Sequence, residues 1–230
     1  MTDEERSVLL SQATDFFRNR IAANHLKNTK KLADIGQFNI NPFTYKYLAQ
    51  FAFGDSTPTS MAKALLYPRV LGTSISTTFG NQLQYFCNEV LSSYASVVSG
   101  IDIEFIDATD GRRKYCQVKA GPNTINKDDV KTIKDHFNGI RNLARTNHLD
   151  VRTADCIVGV FYGSEDDLSV HYRKINDYYP VYVGVDFWNR LTGEPRFYFD
   201  LINAFVEVAD EMNSSELMER LITRLAHEFE

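Results

Sequence analysis

The chain has 230 residues, 43% of them hydrophobic, and a formal net charge of −5. This length is typical of one domain with a sizeable core, and the acidic balance argues against a protein that coats nucleic acid indiscriminately, since that binding depends on basic residues that displace counterions. No segment approaches the roughly 18 apolar residues of a membrane span, and the acidic start lacks the basic region of a signal peptide, so we expect a cytoplasmic protein with no membrane partner.

The first third of the chain predicts helices. Apolar residues from Leu9 to Ile21 recur at helical spacing, and similar spacing follows twice more. The predicted helices cover residues 7–26, 42–53 and 60–66. A fourth helix, beginning near Thr77, places Glu89 at the edge of its buried stripe. We expect a helical region over residues 1–75 and an α/β core over residues 76–230, the two forming one compact unit.

A hairpin is predicted next. Asp110-Gly111 lies between two runs of alternating apolar residues, which is a strong signal for a two-residue turn with positive φ at both positions. Such a turn pairs Asp102 with Lys119, and the apolar residues Ile103, Phe105, Cys116 and Val118 then share the opposite face.

The polar face of this hairpin carries the chemistry. The same register pairs Glu104 with Gln117, beside Asp102 and Lys119. A hard divalent ion such as Mg²⁺ takes oxygen ligands of this kind, and an adjacent lysine can orient or deprotonate water and offset charge on a phosphate. The arrangement therefore fits phosphodiester hydrolysis with Asp102 as metal ligand and Lys119 as catalytic amine. An ordinary cross-strand ion pair of Asp102 with Lys119 is the alternative.

The segment after the hairpin predicts a basic amphipathic helix. Asn126 is a suitable N-cap, and the helix N-terminus beyond it is a plausible phosphate site. One narrow sector of the helix is basic, next to its apolar stripe, and fits either a polyanion or a solvated face. This sector contains Lys127, Lys131, Lys134, Arg141 and Arg145.

The remaining chain predicts two strands and two helices. The strands cover residues 156–162, a continuous apolar run typical of a central strand, and 179–185. The helices cover residues 201–212 and 215–229. Three scattered cysteines are interpreted as buried thiols. The five histidines share no metal-ligand spacing and are interpreted as surface or structural residues, namely His25, His136, His148, His171 and His227.

At Asp102 and Gln117-Val118-Lys119 the chain resembles PD-(D/E)xK nucleases. The flanking segments are similar to type II restriction endonucleases, within the family of the enzyme that cuts RGG-N-CCY sites. These segments keep the same order over roughly residues 39 to 205, and they are residues 39–43, 67–72, 119–121, 157–163, 183–184 and 187–188. Each motif alone is loose, whereas the series is fairly specific.

The resemblance implies a PD-(D/E)xK α/β core, with a mixed central sheet flanked by helices. It also implies a magnesium-dependent homodimer that cleaves both strands of double-stranded DNA at a short palindrome, with a GG-N-CC core favoured. A cognate DNA methyltransferase, encoded separately, is the partner expected of such an enzyme. By this resemblance Asp102 binds the metal and Lys119 is the catalytic lysine, and the helical region over residues 1–75 is suited to subunit and DNA contacts.

The chain departs from the superfamily pattern at Gln117, where an acidic residue is expected two positions before the lysine. An amide oxygen is a poorer ligand than a carboxylate, so Glu104 and Glu89 are candidates to supply the missing charge. Further residues are candidates for DNA contact. These are Asn123, Thr124, Lys127, Lys131, Lys134, Arg141 and Arg69, with Arg173 as an additional base-reading candidate.

Two alternatives stay open. A structure-selective nuclease of the same superfamily would carry the same residues but would not cut linear duplex DNA at one sequence. A DNA-binding module with a degenerate site would bind DNA equally with and without magnesium, and Gln117 is the one sequence feature that favours it.

Overall fold

The computed structural model describes residues 1–212 and 214–230. Within these residues the chain forms ten α-helices and one four-stranded sheet. The helices are α1 (Asp3–Phe16), α2 (Ala23–Lys31), α3 (Tyr45–Phe53), α4 (Pro58–Pro68), α5 (Ile75–Glu89), α6 (Lys127–Thr146), α7 (Val170–Asn176), α8 (Val185–Thr192), α9 (Phe197–Met212) and α10 (Ser215–Ala226). π-helical turns, Phe17–Ala22 and Arg69–Ser74, join α1 to α2 and α4 to α5.

The sheet is mixed, as predicted. Its strands are β1 (Ile103–Ile106), β2 (Arg113–Lys119), β3 (Cys156–Val160) and β4 (Val181–Val183), in the spatial order of the chain. β1 is antiparallel to β2, whereas β2, β3 and β4 are parallel. Every residue of β3 is buried, which confirms the prediction of a central strand covered on both faces.

The chain divides into two compact units. Unit 1 comprises residues 1–13 and 83–204 and contains the sheet, whereas unit 2 comprises residues 14–82 and 205–230. The C-terminal helix α10, assigned to the core from sequence, thus belongs with the N-terminal helices. In unit 2 its residues Leu221 and Leu225 form a buried cluster with Leu66 of α4, and burial of this apolar face explains the assignment.

The core of unit 1 lies on both faces of the sheet. On one face, Ile133 and Phe137 of α6 pack in a cluster with Val158 of β3. On the other face, a side chain at Gly159 would collide with the ring of Phe187, so only glycine allows α8 to approach β3 this closely. Helix α8, like α7, is short and was not predicted from the sequence.

The hairpin register differs from the prediction by two residues. Glu104 faces Tyr115 instead of Gln117, and continuing the same register brings Asp102 opposite Gln117 instead of Lys119. Because side chains alternate with a period of two, an even shift leaves every residue on its predicted face. The polar and apolar faces of the hairpin are therefore as predicted, although both predicted pairings are wrong.

A longer connection causes this shift. The loop spans residues 108–111, closed by hydrogen bonds from Asp107 N to Arg112 O (2.9 Å) and from Gly111 N to Asp107 O (2.8 Å). Gly111 has a φ of 69°, whereas Asp110 does not have positive φ. The predicted two-residue turn needs positive φ at both positions, so this backbone cannot form it.

The predicted helices are present with different limits. The first helical segment runs from Asp3 to Lys31, with the π turn at Phe17–Ala22 inside it. Within the part of the chain that the structure describes, no helix combines the length and apolar character that crossing a bilayer requires.

Candidate active site

Asp102 is fixed by the strand ladder at the open end of the hairpin. Its backbone N–H donates to Cys116 O (3.1 Å), and its Oδ2 accepts a hydrogen bond from Val118 N (2.7 Å). In a regular antiparallel ladder, the Val118 N–H would donate to a backbone carbonyl of the opposite strand. Here it donates to the Asp102 carboxylate instead. One carboxylate oxygen is held against the sheet, which leaves Oδ1 as the oxygen that can bind a ligand.

The charge of Asp102 is only partly compensated. Burial raises the pKa of Asp102 above its ordinary value, and the Val118 N–H, the ammonium of Lys119 and the ring of His136 oppose that increase without cancelling it. A half-buried carboxylate with a raised pKa is a common feature of functional sites. A cation beside Asp102 would remove this imbalance.

Lys119 ends β2 near this carboxylate. Its carbonyl accepts a hydrogen bond from Phe161 N (2.8 Å), which anchors the strand end to the chain that follows β3. Its positive charge opposes the rise in the pKa values of Asp102, Cys87 and Cys116, so the ammonium lies within electrostatic range of this carboxylate. Among residues 1–212 and 214–230, no side chain forms an ion pair with Lys119. The alternative of an ordinary cross-strand ion pair is therefore not what the structure shows.

Gln117 is held by two groups that lie 17 and 19 residues away in the sequence. The residue is 5% exposed, and its Nε2 donates to Gly100 O and lies 2.6 Å from Nδ1 of His136 on α6. Gly100 has a φ of 80°, and a Cβ there would lie 2.5 Å from His136. The interpretation of His136 as a surface or simply structural residue therefore missed its contact with the site.

The two additional carboxylates lie in different surroundings. Glu104 accepts hydrogen bonds from Ser96 Oγ (2.6 Å) and from the guanidinium of Arg113 (3.2 Å), so its charge is already compensated. Glu89, expected at the edge of a buried stripe, is exposed near the end of α5. In the described residues, no three His, Cys, Asp or Glu side chains are grouped as metal ligands.

The donor set nevertheless fits a hard divalent cation. Asp102 offers one carboxylate, and Gln117 offers an amide beside it. Magnesium keeps several waters and is commonly held by one or two carboxylates together with substrate phosphates. Such an ion would also compensate the charge of Asp102. The three cysteines are buried and free, and burial raises the pKa of Cys87 to about 12, which excludes a reactive thiolate there.

The N-terminus of α6 is capped by the protein itself. Asn126 Oδ1 accepts hydrogen bonds from Asp128 N (2.7 Å) and Asp129 N (3.1 Å), and Asp129 completes a capping box. This confirms Asn126 as the N-cap. The cap occupies two of the free N–H groups, and Asp128 and Asp129 add negative charge to the first turn. These contacts do not favour a phosphate site at this helix end, which stays a prediction.

The turn between β2 and α6 contains Asn123 and Thr124, both exposed. The hydroxyl of Thr124 donates to Gly121 O (2.8 Å) and lies 3.1 Å from the Tyr172 hydroxyl. Thr124 therefore stabilises the turn, and Asn123 is the side chain that remains available for a ligand.

The basic sector of α6 faces away from the site. A helix turns by about 100° per residue, so His136 and Lys127 lie on opposite sides of it. The basic side meets residues that precede β4, since Lys134 Nζ lies 3.8 Å from the ring centroid of Tyr178, whereas the His136 side meets β2. The predicted DNA contacts on this sector, namely Lys127, Lys131, Lys134 and Arg141, are thus separated from Asp102 by the width of α6.

The other two predicted DNA contacts also lie apart from Asp102 in the sequence. Arg69 is an exposed residue of unit 2. The guanidinium of Arg173 donates to Leu168 O (3.1 Å) and Asp166 O (3.2 Å), which holds the loop before α7. Base readout by Arg173 would require these bonds to break.

Comparison with known proteins identifies the chain. A family model described as "Type II restriction endonuclease EcoO109I" matches residues 6–213, a span that contains Asp102, Gln117 and Lys119. A search of curated proteins finds no significant match. The matched span covers well over half of the chain and contains all four strands of the mixed sheet. The chain therefore belongs to the EcoO109I family of type II restriction endonucleases, which makes it a site-specific deoxyribonuclease that acts on double-stranded DNA.

Proposed function

We propose that the protein hydrolyses both strands of duplex DNA at a short palindromic site in a magnesium-dependent reaction, with a GG-N-CC core as the favoured sequence. The observation that carries this proposal is the Asp102–Lys119 pair. Burial raises the pKa of the Asp102 carboxylate. The Lys119 ammonium, which lies within electrostatic range of it, has no ion-pair partner among the described residues. Family membership supplies the substrate class.

The residues of the site have separate tasks. Asp102 Oδ1 and the Gln117 amide would hold the ion, which when bound supplies Lewis acidity at the scissile phosphate. Lys119 presents its ammonium to the same phosphate, where it offsets the negative charge of the transition state and orients the attacking water. The hydrogen bond from Val118 N fixes Asp102 before substrate arrives, so little reorganisation is needed during the reaction.

The DNA is proposed to lie along the turn after β2. Asn123 is exposed there, shortly after Lys119 in the chain, and can contact a phosphate that flanks the cleaved bond. Lys127, Lys131, Lys134 and Arg141 are proposed as more remote phosphate contacts, and Arg69 of unit 2 as a further contact. All of them would contribute affinity without sequence information.

A homodimer is proposed because a palindromic site has two-fold symmetry and each strand needs its own catalytic site. Unit 2 offers a surface for this contact, since Phe43, Tyr47 and Phe51 recur at helical spacing and are 89%, 63% and 76% exposed. Sedimentation should show a dimer that Phe51→Asp weakens, and a wild-type monomer on cognate DNA would contradict this. A separately encoded methyltransferase that protects the same sequence is the expected partner.

The direct test is incubation of the purified protein with phage DNA, with magnesium and with EDTA, followed by sequencing of the ends. We expect discrete fragments with 5′-phosphate ends with magnesium only, and no fragments from Asp102→Ala. The matched control is Asp166→Ala, which removes an exposed carboxylate of unit 1. Cleavage of branched DNA alone would favour the structure-selective alternative, and intact DNA under every condition would favour the degenerate binding module.

A further inference from the structure

Gly100, Gln117 and His136 form one interlocked group beside Asp102. The imidazole occupies the space that a side chain at position 100 would need, and the Gln117 amide lies against both neighbours through its Nε2. These residues come from three elements: the segment before β1, strand β2 and helix α6. A glycine at position 100 thus allows α6 to bring an imidazole to the strand that carries Gln117 and Lys119.

Hydrogen-bond chemistry fixes the orientation of this group. The Gly100 carbonyl is an acceptor only, so the amide nitrogen of Gln117, and not its oxygen, must face it. The same nitrogen is a donor only, so Nδ1 of His136 must accept, which places the ring proton on Nε2. With its nitrogen engaged twice, the amide of Gln117 has its oxygen left for another ligand.

The group also accounts for the departure from the superfamily pattern. A glutamate at position 117 would place a carboxylate oxygen against Gly100 O, and two acceptors repel each other. The surroundings of position 117 therefore select an amide over a carboxylate. A neutral oxygen ligand contributes less binding energy to a divalent ion than a charged one.

We propose that His136 is a positioning residue that fixes the Gln117 amide oxygen as a neutral ligand beside Asp102. This inference rests on the proposed metal-dependent function of the same site. It assigns the metal site one carboxylate and one oriented amide, so that metal binding depends on an imidazole that need not touch the ion. Partners that orient ligands in this way typically change metal affinity by about 10-fold to 100-fold when removed.

Two substitutions separate positioning from packing. His136→Asn keeps an acceptor near the place of Nδ1, whereas His136→Phe keeps the ring volume next to Gly100 but has no acceptor. The probe is Mn²⁺, which is titrated into the protein in the absence of DNA. Electron paramagnetic resonance measures the concentration of unbound Mn²⁺. We expect His136→Phe to raise the Mn²⁺ dissociation constant at least about 10-fold, and His136→Asn to stay within about 3-fold of wild type. The magnesium concentration that gives half-maximal cleavage should shift in parallel.

Thermal melting of each variant controls for folding, and His136→Leu repeats the test with a smaller side chain if His136→Phe does not fold. Unchanged Mn²⁺ binding by a folded acceptor-free variant would overturn the positioning role, even if the wild type cuts DNA. Absence of Mn²⁺ binding by the wild type up to millimolar concentration would overturn it as well. Wild-type Mn²⁺ binding that His136→Phe weakens, in a protein that cuts no DNA, would support the positioning role and refute the endonuclease proposal.

Discussion

The two ends of the β1–β2 hairpin differ in how their charges are paired: those at the loop end form ion pairs within the protein, whereas within the described residues those at the open end do not. At the loop end, Lys114 is 1% exposed and its Nζ contacts Asp110 (2.6 Å) and Asp155 (3.3 Å), while Arg112 bonds Asp155 (2.5 Å). Burial raises the pKa of Asp155, but hydrogen bonds from Arg112, Arg152 N and Lys114 outweigh it and lower that pKa to about 2.

At the open end, the pKa of Asp102 is raised and Lys119 has no ion-pair partner among the described residues. The same strand pair therefore carries one group of charges that is satisfied within the protein and one that is not. Fully paired buried charges hold a structure together, whereas under-compensated ones reduce stability and are available to ligands. Under the proposed function, the charges at the open end bind substrate and those at the loop end maintain the fold.

The largest expected effect is the loss of cleavage in Asp102→Asn. Removing the charge should lower the cleavage rate by about 1,000-fold, equivalent to about 4 kcal/mol of transition-state stabilisation. Single-turnover cleavage with saturating magnesium measures this. A rate within about 10-fold of wild type would show that Asp102 is not the essential ligand.

The same variant should be more stable than wild type. Because burial raises the pKa of Asp102, the ionised carboxylate destabilises the fold at neutral pH, and Asn removes that cost. The gain should be complete above the raised pKa and should shrink as the pH falls from that pKa to the ordinary pKa of an aspartate, below which the carboxyl is protonated in both the folded and the unfolded state. Urea unfolding in EDTA at several pH values measures this, and a less stable Asp102→Asn at pH 7 would contradict the account.

Lys114→Met tests the loop end of the hairpin. It removes a buried cation and leaves Asp155 and Asp110 without one of their partners, so we expect the free energy of unfolding to fall by about 3 kcal/mol. Cleavage per folded molecule should stay near wild type. Arg113→Met at a neighbouring, exposed position is the control, and an equal loss in both variants would show that the network has no special role.

The smallest effect is expected from the basic sector of α6. Lys131→Gln and Arg141→Gln change exposed residues on the side of α6 away from His136, so the cleavage rate with saturating DNA should stay within about 3-fold of wild type. Each should weaken DNA binding nearly equally for all sequences and reduce the slope of log affinity against log salt by up to about 1. A large rate loss with saturating DNA would bring this sector into the catalytic site.

Local rules predicted much of the site. The two-residue period assigned Asp102, Gln117 and Lys119 to one face, and that assignment survived the register error because the shift was even. The Asn126 cap was predicted because a capping box depends only on neighbouring residues. The register was not predictable in the same way. Hydrogen bonds of the Asp107 backbone close a longer loop in place of the two-residue turn that Asp110-Gly111 indicates.

Contacts between distant segments were missed. His136 lies 19 residues from Gln117, and which side of α6 meets β2 depends on how the helix crosses the sheet, which the periodicity of α6 does not contain. Gly100 is the sequence feature that could have indicated this contact, because a glycine next to a strand often allows another part of the chain to approach the backbone closely. Likewise Lys114 falls on the apolar face of the hairpin, and only Asp155 from a later segment explains its burial.

The most direct test of the contrast is cleavage per folded molecule in Lys119→Met, compared with Lys114→Met from the same strand. Lys119→Met should unfold at the same denaturant concentration as wild type and cut DNA about 1,000-fold more slowly, whereas Lys114→Met should be less stable and cut normally while folded. A Lys119→Met protein that cuts at the wild-type rate would contradict the assignment of the open end of the hairpin as the catalytic site.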